Sequence, residues 1–97
     1  MHILVVRFNL PPERGERIQR ALATTASDLN GVPGFRSFKI LKGPAGDELL
    51  AVVEWDDQAS FELWTESASF TRFQIDSNPS GPVKTDFKLY EVSYSRP

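Results

Sequence analysis

Apolar and polar positions alternate from the second residue onward: Leu4, Val6, Phe8 and Leu10 fall on one face, and Ile3, Val5, Arg7 and Asn9 on the other. Period two over β-branched and aromatic residues predicts a strand. Apolar residues on both faces at its start predict a sheet covered on both sides. Pro11 and Pro12 donate no backbone hydrogen and so end the ladder, while their fixed φ suits the opening turn of a helix. The spacing then changes to three and four. Ile18, Leu22, Thr25 or Ala26, and Leu29 make one stripe with Arg14, Arg17, Arg20 and Asp28 elsewhere, which predicts an amphipathic helix to about Asn30. Asn30-Gly31 is a C-terminal cap, and Pro33 forbids continuation.

Period two returns over Phe35–Lys42, with Phe38 and Ile40 inward and Arg36 and Lys42 outward. The turn residues Gly43-Pro44-Ala45-Gly46-Asp47 join it to a second strand, Leu49 to Trp55, as a hairpin. Asp56-Asp57 caps a short helix carrying Phe61 and Trp64, and Ser67 caps another in which Phe70 and Phe73 or Gln74 share a face. After the loop Asn78-Pro79-Ser80-Gly81-Pro82, a last strand is predicted from Asp86 to Ser95, with Phe87 and Leu89 on one face and Tyr90, Val92 and Tyr94 on the other. This order is that of a ferredoxin-like α+β fold, a split βαβ unit with a four-stranded antiparallel sheet and its helices on one face. The segment Leu49–Trp55 is apolar on both faces, so a second subunit is expected against the open side of the sheet.

Composition narrows the chemistry. At 97 residues the expectation is one domain spanning 1–97, and the absence of cysteine removes disulfides, thiol catalysis and cysteine-ligated metals. Eleven basic against thirteen acidic side chains leave no basic face for nucleic acid. The apolar run Ile3–Val6 is far too short to span a membrane or to form a signal peptide, which predicts a soluble cytoplasmic protein. His2, the single histidine, reads as an incidental surface residue at the chain start, no glycine-rich phosphate loop is present, and Asp56-Asp57 reads as a cap rather than a metal site.

The distinctive feature is aromatic concentration: Phe61, Trp64, Phe70 and Phe73 lie within thirteen residues. Two readings stand side by side, core packing and a flat apolar cavity for a planar aromatic ligand. Asn9 has two as well, an amide capping a turn in solvent or one aimed at a ligand.

The segments Gly31-Val32-Pro33-Gly34-Phe35, Val53-Glu54-Trp55-Asp56-Asp57-Gln58-Ala59-Ser60-Phe61, Trp64, Ser67-Ala68-Ser69-Phe70 and Tyr90-Glu91-Val92-Ser93-Tyr94 occur in that order. Together they resemble the antibiotic biosynthesis monooxygenase domain family over nearly the whole chain. The resemblance implies a homodimer around a shared α/β barrel and a monooxygenase that combines O2 with a planar phenol, quinol or polyketide-like aromatic. It further implies that Asn9 and Trp64 are catalytic, Asn9 holding a substrate oxygen and Trp64 packing on the rings. Phe61, Phe70, Phe73 and Gln74 would shape the pocket, with Arg72 and Arg7 as candidate anion partners. In the heme-degrading branch a histidine ligand stands near the end of the "S..F" helix, where this chain has Gln74 or a neighbour, and an amide is a poor iron ligand. Some members of the polyketide-oxidising branch carry a tyrosine at about the place of Phe70. The expectation is therefore a cofactor-independent enzyme without metal, flavin or heme. The alternatives are a heme-binding or heme-degrading protein with a nonstandard ligand, and a non-catalytic dimeric domain that binds a small hydrophobic molecule.

Overall fold

The computed structural model describes residues 1–9, 12–44, 48–76 and 84–97. Leu10, Pro11, most of the turn Gly43–Asp47 and the loop Asn78–Pro82 lie outside them. The elements are β1 (His2–Asn9), α1 (Pro12–Asp28), β2 (Phe35–Lys42), β3 (Glu48–Trp55), α2 (Gln58–Thr65), α3 (Ala68–Asp76) and β4 (Lys84–Glu91). They build an α+β ferredoxin-like fold whose four strands are antiparallel in the order β2-β3-β1-β4.

β1 is central because it can be buried on both faces. Its even-numbered residues Leu4, Val6 and Phe8 are covered by the helices, while Ile3 and Val5 are half-buried on the outer face. The partner residues follow in register: Val53, Ala51 and Leu49 of β3 stand opposite them and are equally buried. The stripe of α1 resolves in favour of Thr25, which is buried with Ile18, Leu22 and Leu29 and donates its hydroxyl hydrogen to the Ala21 carbonyl at 3.3 Å. That bond satisfies the hydroxyl inside the core.

The Pro33-Gly34-Phe35 segment ties the sheet to α2. The Asp56 N–H donates to the Gly34 carbonyl at 2.8 Å, and Gly34 has φ +81°. A Cβ at this position would run into Ser60, so the close approach of α2 requires glycine. The α2 N-cap is Asp57, whose carboxylate accepts from the Ser60 N–H at 2.8 Å. Asp56 instead meets Arg36 on the surface at 3.0 Å.

The last strand departs from the expected span, running over Lys84–Glu91 rather than Asp86–Ser95. It ends where its partner ends: Glu91 opposes His2, and Val92 N–H donates to the Met1 carbonyl at 2.9 Å. Val92 and Tyr94 therefore belong to no strand, whereas Phe87 and Leu89 face the helices and Tyr90 the outer side, with the alternation as read.

Truncating Leu22, which is fully buried, should cost about 2–5 kcal/mol in urea unfolding. The N-cap has a pH signature. The Ser60 backbone N–H, and secondarily its hydroxyl, holds the Asp57 carboxyl below the usual carboxylate range. A depressed folded pKa gives stability that is present above the unfolded pKa and lost as pH falls through the folded one. The difference in melting temperature between wild type and Asp57→Ala should therefore be full at neutral pH and shrink below about pH 4.

Candidate functional site

Four aromatic side chains surround Trp64 at the aromatic end of the molecule. Its indole is 1% exposed and meets Trp55 at 5.1 Å between centroids, Phe70 at 4.9 Å, Phe73 at 5.4 Å and Phe61 at 6.3 Å. The Phe70 contact is edge-to-face at 81°, a favourable arrangement for aromatic quadrupoles. Because a buried indole N–H needs an acceptor, the α2–α3 turn supplies one: Nε1 donates to the Ser69 hydroxyl oxygen at 3.2 Å. The Ser67 hydroxyl donates to the Trp64 carbonyl at 2.6 Å and accepts from the Phe70 N–H at 3.3 Å, so one serine closes α2 and opens α3.

This cluster backs a cavity of about 250 Å³ between α2, α3 and the edge strand β4. Among the described residues its walls are Phe61 of α2, Phe70 and Gln74 of α3, Leu4 of β1, and Phe87, Lys88 and Leu89 of β4. Five of those seven are apolar. The only polar groups are the Gln74 amide and Lys88, whose ammonium lies 5.3 Å from the Tyr90 ring centroid. Tyr90 pairs with Ile3 on the outer face of the sheet, so this charge is drawn away from the helix side.

The structure brings Phe61, Phe70 and Gln74 together at the cavity and leaves five expected residues off its walls. Trp64 stands behind Phe61 and Phe70, and Phe73 is fully buried beside it. Arg72 reaches from α3 to α1, where its guanidinium lies 3.7 Å from the Asp28 carboxylate. Asn9 is exposed on the outer face, opposite Glu48 and Lys84, and about 17 Å along β1 from Leu4. The β1 residues that face the helices are His2, Leu4, Val6 and Phe8, so no amide of this strand points to the cavity. Arg7 also lies on the outer face, 3.4 Å from Glu48.

His2 is no incidental surface residue. The ladder sets it between Trp55 and Glu91, its side chain is 16% exposed, and Nε2 lies 4.0 Å from the Glu91 carboxylate. Its Nδ1 and the Trp55 Nε1 are buried and find no partner among the described residues. Phe87, Leu89, Leu4 and Lys88 were not anticipated as pocket residues. Their signal is the period-two phase shared by Leu4 with Phe87 and Leu89, which becomes a pocket wall only when β4 is known to pair with β1. Among the described residues no group of three metal-ligating side chains occurs, and no helix is long and apolar enough to cross a membrane.

A sequence profile of the family described as antibiotic biosynthesis monooxygenase matches residues 1–75. Among solved structures, the chain is similar to SnoaB, a cofactor-independent oxygenase from Streptomyces nogalater, with 17% identity and a TM-score of 0.81 over 99% of this chain and 96% of that one. It is similar also to the heme degrader MhuD from Mycobacterium tuberculosis, which holds two hemes in its active site, with 18% identity, full coverage of both chains and a TM-score of 0.77. A conserved protein from Methanosarcina mazei shares 16% identity and a TM-score of 0.76 over 93% of this chain and 91% of that one. At these identities the likeness is one of fold. No curated protein sequence matches the chain.

Removing the acceptor of a buried indole should be felt in stability. Ser69→Ala is expected to cost about 1–3 kcal/mol in urea unfolding, with Ser69→Thr restoring most of it. Gln74→Ala, at an exposed position, should stay within about 0.5 kcal/mol of wild type.

Proposed function

The chain belongs to the antibiotic biosynthesis monooxygenase family, and from that membership we propose that its aromatic cavity binds a small phenol or quinol and oxygenates it with O2 as a cofactor-independent monooxygenase. The observation that carries this reading is the lining itself: aromatic and aliphatic walls with one amide at the helix side. Such walls desolvate a planar ring, and an amide N–H can donate to its oxygen.

In this reading the substrate enters as its phenolate, having lost its proton to water, because no carboxylate or imidazole stands among the described lining residues. Gln74 donates a hydrogen bond to the phenolate oxygen, and Phe61 and Phe70 hold the ring plane. Electrons pass from the electron-rich ring to O2, a C–O bond forms at the ring carbon, and the resulting hydroperoxide loses water as its O–O bond breaks. The balance is one phenol plus one O2 to one quinone plus one water, so the substrate is the reductant. The protein contributes binding, orientation and exclusion of bulk water.

Heme fits these residues poorly. Among the described residues the lining carries no imidazole, thiolate or phenolate, the groups that hold haem iron through nitrogen, sulfur or phenolic oxygen. A cavity of about 250 Å³ also falls below the usual range for drug-sized ligands, let alone a four-pyrrole macrocycle.

The same proposal includes a homodimer. The outer face presents Ile3, Val5, Leu50 and Val52 half-buried, flanked by the Arg7–Glu48 and Lys39–Glu54 ion pairs. A second copy of this chain would cover it, and sedimentation at micromolar concentration should give twice the 10.9 kDa chain mass.

An oxygen electrode tests the chemistry. With 1,4-dihydroxynaphthalene the protein should consume O2 above the uncatalysed rate and yield 2-hydroxy-1,4-naphthoquinone and water, with one oxygen atom from O2 in the product, rather than naphthoquinone and hydrogen peroxide, and Gln74→Ala should lower kcat/KM at least about tenfold. Binding of the quinol with no oxygen uptake would leave the non-catalytic binding domain in place of the enzyme.

A further inference from the structure

We propose that Lys88 selects an anionic ligand for this cavity: an aromatic acid whose ring lies on the apolar walls and whose carboxylate stands at the β4 edge beside the ammonium. The inference rests on the reading of the cavity as a site for aromatic molecules. It adds the charge of the ligand and the residue that recognises it.

Lys88 borders two hollows. On the helix side it lines the aromatic cavity, where it is the single charged residue among the described walls. On the outer side it lines a second hollow of about 220 Å³ with Val5, Arg7, Asp86, Phe87 and Tyr90. Both are within reach of one side chain because β4 ends the sheet. Among the described residues no strand pairs with its far side, so a flexible four-carbon stem can pass round that edge.

The ammonium lies over the Tyr90 ring, 5.3 Å from its centroid, which is a weak hold at an exposed position. Lys88 forms no ion pair among the described residues. The two arginines expected at the site differ from it in this respect: Arg7 lies 3.4 Å from Glu48, and Arg72 lies 3.7 Å from Asp28. No carboxylate stands among the described walls of the cavity to compete with a ligand for the ammonium.

The cavity is open to solvent, and this favours a charged ligand group at its mouth. A carboxylate there keeps part of its hydration while the ring covers Phe61, Phe70 and Leu89. The ion pair then forms without the cost of burying two charges. Such a pair adds modest affinity and a definite preference for one sign of charge.

The test is calorimetric titration at about pH 7 with 2-naphthoate and 2-naphthamide, two probes of nearly the same shape of which only the first is ionised. Wild type should bind the acid about fivefold tighter than the amide, the scale of one exposed ion pair. The preference should shrink as salt is raised from about 0.01 M to about 1 M. Lys88→Gln should bring the two probes within about twofold by weakening the acid and leaving the amide, and Lys88→Arg should keep the preference. Because the position is exposed, both variants are expected to fold as wild type does. Lys42→Gln removes the same charge from β2, at the opposite edge of the sheet, and should leave the preference unchanged. The proposal is overturned if wild type binds the two probes equally or binds neither. It is overturned equally if Lys88→Gln keeps the wild-type preference or Lys42→Gln abolishes it. Acid preference without oxygen uptake from 1,4-dihydroxynaphthalene would remove the monooxygenase reading and leave this one standing, and oxygen uptake with equal binding of the probes would do the reverse.

Discussion

The aromatic half of this molecule depends on the burial of one indole. Trp64 is the residue at which α2, α3 and the sheet meet, with Trp55 below it, Phe61 and Phe70 to the cavity side and Phe73 toward β4. Its N–H is spent on Ser69 within the helix turn, so the ring can sit wholly in the core without an orphaned donor. Trp55, its neighbour, does leave an indole N–H unpaired among the described residues, and His2 beside it leaves a ring nitrogen. The two tryptophans are therefore unequal: one is locked by packing and a hydrogen bond, the other by packing alone.

Much of the fold was legible because hydrophobic period reports which face is buried. The change from two to three-and-four at the Pro-Pro step located the first strand and helix, and the turn-rich stretch after Lys42 located the hairpin. What period could not settle was pairing. The closing strand stops at Glu91 because β1 stops opposite it, a fact about two distant segments and not about Tyr90–Tyr94. The site was less legible for a similar reason. Asn9 matched a family residue in type, but its period-two phase, shared with Ile3, Val5 and Arg7, already assigned it to the face away from Leu4. Phase was the stronger signal, since a one-residue step along a strand reverses the direction of the side chain. Arg72 illustrates the other limit, since consecutive helix positions point about 100° apart and, of Arg72, Phe73 and Gln74, it is Gln74 that lines the cavity.

The result is a site with very little polar machinery. Gln74 offers an amide, Lys88 an ammonium directed to Tyr90, and the other described lining residues are hydrocarbon. A wall of that kind can fix a ring plane and exclude water, but it cannot carry protons through a relay of side chains.

The placement of the cavity against β4 has an evolutionary consequence. β1 lies between two strands, so altering its phase would disturb both ladders and the core at once. β4 is bonded on one side only, and its helix-facing Phe87 and Leu89 line the cavity together with Lys88. Substitutions there can reshape ligand choice while the remaining three strands keep their register. An edge strand is thus a separable adaptive module, and divergence of specificity among proteins built this way would be concentrated in its sequence.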